Sequence, residues 1–389
     1  MEEKDSSKTQ HQQIQEQLVD AEEVPPLLSS NKTITFRKQF YPDVSQSDWD
    51  DWKWQLRSSI TTYEELHHIF DSFEMITSKT TNLPLRITPY YASLITDLNY
   101  SIGKCVIPTV NEELTTLNEE YDFLHEEEFS PVKNIVHRYP DRVLFLTTDF
   151  CSSYCRYCTR SRLVSKSEIN RKFWDEGINY IKEHTEVRDV LLSGGDILTM
   201  EDNNIEYLLK SIKAIKHVEF IRIGTKVPIV LPQRITKKLC NMLKKYHPVF
   251  ISLHFSHPNE LTPEVEKACT MLADAGIPLG SQTVLLKGVN DNVDTMKKLM
   301  HGLLKIRVRP YYIFICDRII GTSHFRTPIA KGLEIVEGLR GWTSGYAVPD
   351  FIVDSPEGKI NISPNNIVSV KDGEYVLKSY SGKNITYQE

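Results

Sequence analysis

Cys151-Ser-Ser-Tyr-Cys155-Arg-Tyr-Cys158-Thr-Arg160 follows directly on an apolar run, Val143-Leu-Phe-Leu-Thr-Thr148. The cysteines fall in a C-x3-C-x2-C spacing. Three thiolates on one short loop can hold three irons of a cubane cluster. The fourth iron is then left without a protein ligand and open to a small chelating molecule. A structural zinc site would need a fourth Cys or His at recognisable spacing, and the loop offers none. Three unrelated thiols is the blander alternative.

Downstream of this loop the texture is repetitive. Apolar runs rich in β-formers stand at about 142–148, 189–193, 219–225, 249–255, 278–286 and 309–316, and helical patterns such as Lys237–Tyr246 and Pro263–Ala275 fill the gaps. Six strand–helix alternations predict an α/β protein with a partial parallel (β/α)6 barrel. The polar and cysteine residues sit just past the C-terminal ends of these strands, the face where barrel enzymes carry their chemistry.

Upstream, residues 1–33 are rich in Gln, Glu and Ser and read as a mobile polar tail. Residues 34–135 read as an N-terminal helical cap. Ser47-Asp-Trp-Asp50 and Thr62-Tyr-Glu-Glu65 carry capping-box patterns, and Thr88-Pro89 is a third helix start. Trp49, Trp52 and Leu56 fall on one face of the first helix. His67 and His68 are adjacent on the second, so they diverge and suit solvent better than a metal. A polar acidic stretch, 111–128, separates the cap from a barrel core of 136–330. Residues 331–389 form a small α+β extension, with a short helix at 331–339 and a closing hairpin around Ser381-Gly-Lys383.

The chain has 389 residues, 40% hydrophobic and 25% charged, with a net charge of −6. Such a balance gives no electrostatic reason to expect nucleic acid or an anionic membrane as partner. No apolar run is long enough to span a bilayer. Of seven cysteines, Cys105, Cys240, Cys269 and Cys316 are scattered without a pairing pattern. A reducing cytoplasm is therefore expected, which also suits an oxygen-sensitive cluster.

The C-x3-C-x-aromatic-C loop resembles the signature of the radical S-adenosylmethionine (SAM) enzymes. His137-Arg-Tyr-Pro-Asp-Arg-Val-Leu-Phe-Leu146 before it and Cys158-Thr-Arg-Ser-Arg162 after it resemble the lysine 2,3-aminomutase family. The resemblance implies a barrel of radical SAM type, a [4Fe-4S] cluster on Cys151, Cys155 and Cys158, SAM, and pyridoxal 5'-phosphate (PLP). It implies that Ser193-Gly194-Gly195-Asp196 meets the methionyl amino group of SAM, that Tyr157 packs near the adenine, and that Gln282 touches SAM. Lys359, after Val353-Asp-Ser-Pro-Glu-Gly358, matches the lysine that carries PLP, on a loop two residues shorter than the family's and with a single Gly. Arg138, Tyr139 and Arg142 then suit the PLP phosphate; without the family match they read as a solvated turn.

Arg160 matches the family's arginine for the substrate carboxylate, and its planar fork suits that task. Asp317 and Asp354 both end strands. Two carboxylates on one pocket repel unless a cation lies between them, and the resemblance makes that cation the side-chain ammonium of lysine. A guanidinium would also satisfy them. The expected activity is thus an isomerase converting L-lysine to β-lysine, with an electron donor to reduce the cluster and a homo-oligomeric state. An arginine 2,3-aminomutase is the alternative, as is an iron–sulfur, SAM-binding protein that has lost PLP chemistry. Zinc is not expected. The family's C-terminal cysteine trio is missing, and Asn292 stands where a further cysteine would be. His254-x-x-His257 looks like a metal pair, but a polar barrel mouth is the better reading.

Overall fold

The computed structural model describes residues 30–70, 83–95, 102–166, 169, 171–363, 366–379 and 382–389. The expected tail lies outside this set up to residue 29. Its last residues are ordered otherwise: Asn31–Phe40 is a helix capped by the Ser30 side chain.

The central sheet has nine strands in chain order. They are β1 (Ile135–Tyr139), β2 (Arg142–Thr148), β3 (Asp189–Gly194), β4 (Phe220–Thr225), β5 (Val249–Leu253), β6 (Leu279–Leu285), β7 (Arg309–Ile315), β8 (Asp350–Ser355) and β9 (Gly358–Asn361). β2 to β8 run parallel, while β1 and β9 lie antiparallel on the two ends. The six strands read from the sequence are β2 to β7, and the partial barrel is as expected. The sheet continues past residue 330, because β8 pairs with β7 and β9 folds back on β8.

Helices cover the outside because their apolar residues recur every three or four positions. In Asp202–Lys213 the buried residues are Ile205, Leu208, Leu209 and Ile212; in Val293–Lys305 they are Met296, Leu299, Met300 and Leu303. The strands sort their two faces by the period of two. In β6, Ser281, Thr283 and Leu285 are buried under the helices, while Gln282 and Val284 line the inner cavity.

β1 and β9 are not joined by a backbone ladder. Side chains close this seam. Arg138 Nη1 donates to the Ser355 carbonyl at 3.0 Å, and the Lys359 N–H donates to the Tyr139 hydroxyl oxygen at 2.8 Å.

The helix expected from Ser47 is two short ones. Gln46–Trp49 is capped by Ser45 and Trp52–Arg57 by Asp51, whose carboxylate takes the N–H groups of Lys53 and Trp54. An aspartate that satisfies two orphan donors starts a new helix rather than continuing the old one. The capping box at Thr62 and the cap at Thr88 form as read, and His67 and His68 are exposed. The closing hairpin is β11 (Glu374–Lys378) with β12 (Asn384–Gln388); β10 (Ile367–Lys371) adds a third strand.

Candidate active site

One cavity of about 640 Å³ occupies the barrel interior, within the range typical of small-molecule sites. Cys151, Cys155 and Cys158 line its mouth as free thiols. The loop that carries them is bolted from behind. Arg156, between two of the cysteines, points away from the cavity with no exposed side-chain surface. It gives two hydrogen bonds to the Glu112 carboxylate and one each to the Leu83 and Pro84 carbonyls. The Arg156 N–H donates to the Cys105 carbonyl, and the Tyr154 N–H to the Arg86 carbonyl.

Burial raises the pKa of all three thiols, that of Cys158 to about 11. Positive iron would supply the charge that draws off their protons. Among the described residues no three His, Cys, Asp or Glu side chains converge on a single-ion site. Three separated thiols on one loop fit a multi-iron cluster better, since each iron takes its own cysteine.

The Gly194-Gly195-Asp196 turn lies beside this loop and borders the cavity, and its glycines allow a close backbone approach. A Cβ on Gly194, whose φ is +129°, would sit 2.2 Å from the Thr148 carbonyl oxygen; one on Gly195 would sit 2.4 Å from that of Phe150. The close contact is with the chain entering the cysteine loop. Asp196 is held by the protein itself. Its carboxylate accepts from the Leu198, Lys226 and Val227 N–H groups and from the Thr225 hydroxyl, at 2.7–3.1 Å. Burial pushes its carboxyl up to about 6 despite these bonds. Asp196 borders the cavity, but its acceptor capacity is used in tying β3 to β4.

Tyr157 lines the cavity with its hydroxyl 2.7 Å from Ser256 Oγ and its ring edge-on to Phe325. Gln282 Nε2 lies 3.1 Å from His254 Nε2, and its Oε1 accepts from the Tyr311 hydroxyl. Burial, with the charges of Lys226 and Arg160, lowers the His254 pKa to about 4, so the ring is neutral and can accept from Gln282. His257 turns elsewhere, its Nδ1 accepting the Asn259 N–H. The two histidines do not form a pair.

Lys359, Asp354 and Asp317 meet in the same cavity. A two-residue turn, Pro356-Glu357, sets Lys359 directly opposite Asp354 in the β8–β9 ladder. The shortened loop therefore aims the lysine rather than withdrawing it: Nζ donates to Asp354 Oδ2 at 2.9 Å. Burial works against this ammonium, but the Asp354 charge prevails and its pKa rises. The other oxygen of Asp354 is buried without a hydrogen-bond partner among the described residues, with Arg138 Nη1 at 3.9 Å. Asp317 accepts the Thr159 hydroxyl at 2.6 Å, and burial plus the Asp354 charge raises its pKa to about 7. Arg138 otherwise serves the seam and the Leu124 carbonyl. Arg142 stacks over Tyr139, 3.7 Å from the ring centre, and pairs with Asp141.

Arg160 is also at the cavity, and its Nε and Nη2 grip Glu126. Sequence reading missed Glu126, because it lies in the acidic stretch taken as a connector. It also missed Thr159 and Lys226, whose surroundings come from distant strands, whereas His254, read as part of a polar barrel mouth, does line the cavity.

The family model for lysine-2,3-aminomutase matches residues 336–389, and that of the radical SAM superfamily matches 145–300. The chain is 50% identical over 368 residues to an L-lysine 2,3-aminomutase of Fusobacterium nucleatum, covering 92% of this chain and 86% of that one. The chain belongs to the lysine 2,3-aminomutase family. An L-lysine 2,3-aminomutase of Clostridium subterminale is 50% identical over 366 residues, covering 92% of this chain and 88% of its own. A glutamate 2,3-aminomutase of Clostridioides difficile is 42% identical over 375 residues, covering 93% and 89%. Membership of the radical SAM superfamily implies a [4Fe-4S] cluster and SAM, and membership of the aminomutase family implies PLP. No helix among the described residues is long and apolar enough to cross a membrane.

Proposed function

We propose that this chain interconverts L-lysine and β-lysine, with the cluster on Cys151, Cys155 and Cys158 and PLP on Lys359. The carrying observation is the pair of acids beside Lys359. Asp354 presents a buried oxygen with no hydrogen-bond donor among the described residues, and Asp317 faces the same space. A buried acceptor without a partner is costly, and a substrate ammonium would satisfy it. A glutamate side chain would instead add a third negative charge to a low-dielectric space. The more similar relatives, at 50% identity, are L-lysine 2,3-aminomutases, and the glutamate enzyme stands at 42%.

In this reading Cys151, Cys155 and Cys158 would hold the cluster and Lys359 would hold PLP; when bound, the cluster with SAM would supply radical chemistry and PLP a carrier for nitrogen. The protein binds and orients. Arg160 takes the α-carboxylate, Asp317 and Asp354 take the ε-ammonium, and the barrel walls exclude water. Tyr157, Gln282 and the backbone at Gly194–Gly195 border the space for SAM. Arg138, Tyr139 and Arg142 stand beside Lys359 for the PLP phosphate.

The reading extends to a cytoplasmic homo-oligomer served by a separate electron donor, without zinc. The absence of zinc is supported by Asn292, whose side chain caps the helix Val293–Lys305 by accepting the Thr295 N–H at 2.8 Å. Elemental analysis after chelation checks this: one retained zinc per chain refutes it.

The test is anaerobic reconstitution with iron, sulfide and PLP, then incubation with lysine, arginine and glutamate. Lysine should be the best substrate. Asp317→Asn and Asp354→Asn should each lower lysine turnover at low concentration by orders of magnitude, since breaking a buried charge pair costs about 3–5 kcal/mol. Preference for arginine would reassign the substrate. Preference for glutamate, or full lysine activity in both variants, would end the proposal.

A further inference from the structure

The guanidinium of Arg160 already holds a carboxylate. Glu126 offers both oxygens to Nε at 3.1 Å and one to Nη2 at 2.6 Å. Glu126 is only 3% exposed, and Arg162 Nη2 lies 3.4 Å from its second oxygen. Burial disfavours the ionised carboxyl, but the Arg160 and Arg162 charges outweigh it and hold its pKa below the usual range. A guanidinium has two edges that can take a carboxylate side-on, Nε with Nη2 and Nη1 with Nη2. Glu126 fills the first. Nη1 makes no hydrogen bond among the described residues, and Arg160 borders the cavity.

We propose that Glu126 is a positioning residue for the substrate carboxylate: it clamps one edge of Arg160 and leaves the Nη1–Nη2 edge to the incoming amino acid. This rests on the lysine reading above. The clamp has two effects of opposite sign. It fixes the plane of the guanidinium, so a carboxylate on the free edge has one orientation, which the reacting carbon inherits. It also neutralises Arg160, so the site attracts carboxylates less strongly than a bare arginine would. Orientation is gained while affinity is lost. A residue that merely held the fold together would not produce this split, since its removal would loosen every ligand.

Glu126→Gln tests the idea, because an amide offers one acceptor where the fork needs two and carries no charge. The probes are L-lysine, norleucine (carboxylate, no side-chain ammonium) and 1,5-diaminopentane (two amines, no carboxylate), bound to holoenzyme. Binding of the last two is read by competition against lysine. For Glu126→Gln, kcat for lysine should fall about tenfold or more, norleucine should bind about tenfold tighter, and the diamine should be unmoved. Glu126→Asp keeps the charge and shortens the reach, so it should lose kcat with norleucine binding unchanged. Iron content and melting temperature certify that each variant is folded. Unchanged or weakened norleucine binding in Glu126→Gln overturns the proposal, as does equal loss of the diamine. Wild-type holoenzyme that turns over no lysine ends the lysine reading, and this inference with it, before any variant is compared.

Discussion

Thr159 donates its hydroxyl to Asp317 Oδ2 at 2.6 Å, so the residue after the third cysteine holds a carboxylate on the end of β7. This joins the cysteine loop to the end of the cavity where the proposed reading puts the substrate ammonium. It also sets a pH dependence. Asp317 is raised to about 7 by burial and then by the Asp354 charge, while the Thr159 bond pulls it down. The carboxyl is ionised, and able to take an ammonium, only above that value. kcat/KM for lysine should therefore rise with pH through about 7. Asp354→Asn removes the repelling charge and should move this limb to lower pH. Thr159→Val removes the hydrogen bond and should move it to higher pH. Profiles of kcat/KM for the three proteins check the opposed signs.

In the proposed reading the cluster should depend on three cysteines and not on the others. Replacing Cys151, Cys155 or Cys158 by Ala should abolish SAM cleavage and deplete iron. Cys269, buried on the outer helix Pro263–Asp274, should be replaceable by Ala with iron retained. Iron and sulfide assays on anaerobically reconstituted protein distinguish the two groups.

Arg156 should matter without touching any ligand. Its pairing with Glu112 is buried, with 0% and 9% of the two side chains exposed. Arg156→Met leaves the Glu112 carboxylate without its partner, and such a loss costs about 3–5 kcal/mol. Denaturant melts of the iron-free protein should show the drop, and iron uptake should fall with it. An unchanged melt would show that the loop does not need this anchor.

Lys359 should be the residue that borohydride fixes to PLP, and peptide mapping should find the label there. Lys359→Ala should lose the PLP absorbance while keeping iron. Tyr139→Phe removes the acceptor of the Lys359 N–H and should weaken PLP retention measurably, a net loss of about 1 kcal/mol. A label on any other lysine would displace the assignment.

Much of this was readable along the chain, because the parts that decide the fold are local. The strands of the barrel carry runs of β-formers, and the thiols lie within eight residues of each other on one loop. Glu126 was not readable, since an acid in an acidic stretch has no local mark; only its partner Arg160, 34 residues on, makes it part of the site. The bonds that already occupy Asp196 were not readable for a related reason. Its four donors come from its own turn and from the end of β4, and a sequence does not display which acceptors are already taken. The place of Lys359 shows a third case: a shorter loop reads as shorter reach, whereas pairing register is what aims the side chain.

The seam between β1 and β9 bears on how the protein is made. The contacts that close it join residues 217 and 220 positions apart, whereas Arg156 of the cysteine loop reaches its anchor Glu112 across only 44 positions. Distant contacts form late because the chain between them must first be ordered. On a ribosome, where the N-terminal part emerges first, the cluster cradle can be assembled while Tyr139 still waits for its partner strand. The PLP end is completed only when nearly the whole polypeptide has emerged. A nascent chain stalled before residue 350 should therefore bind iron without being able to hold PLP.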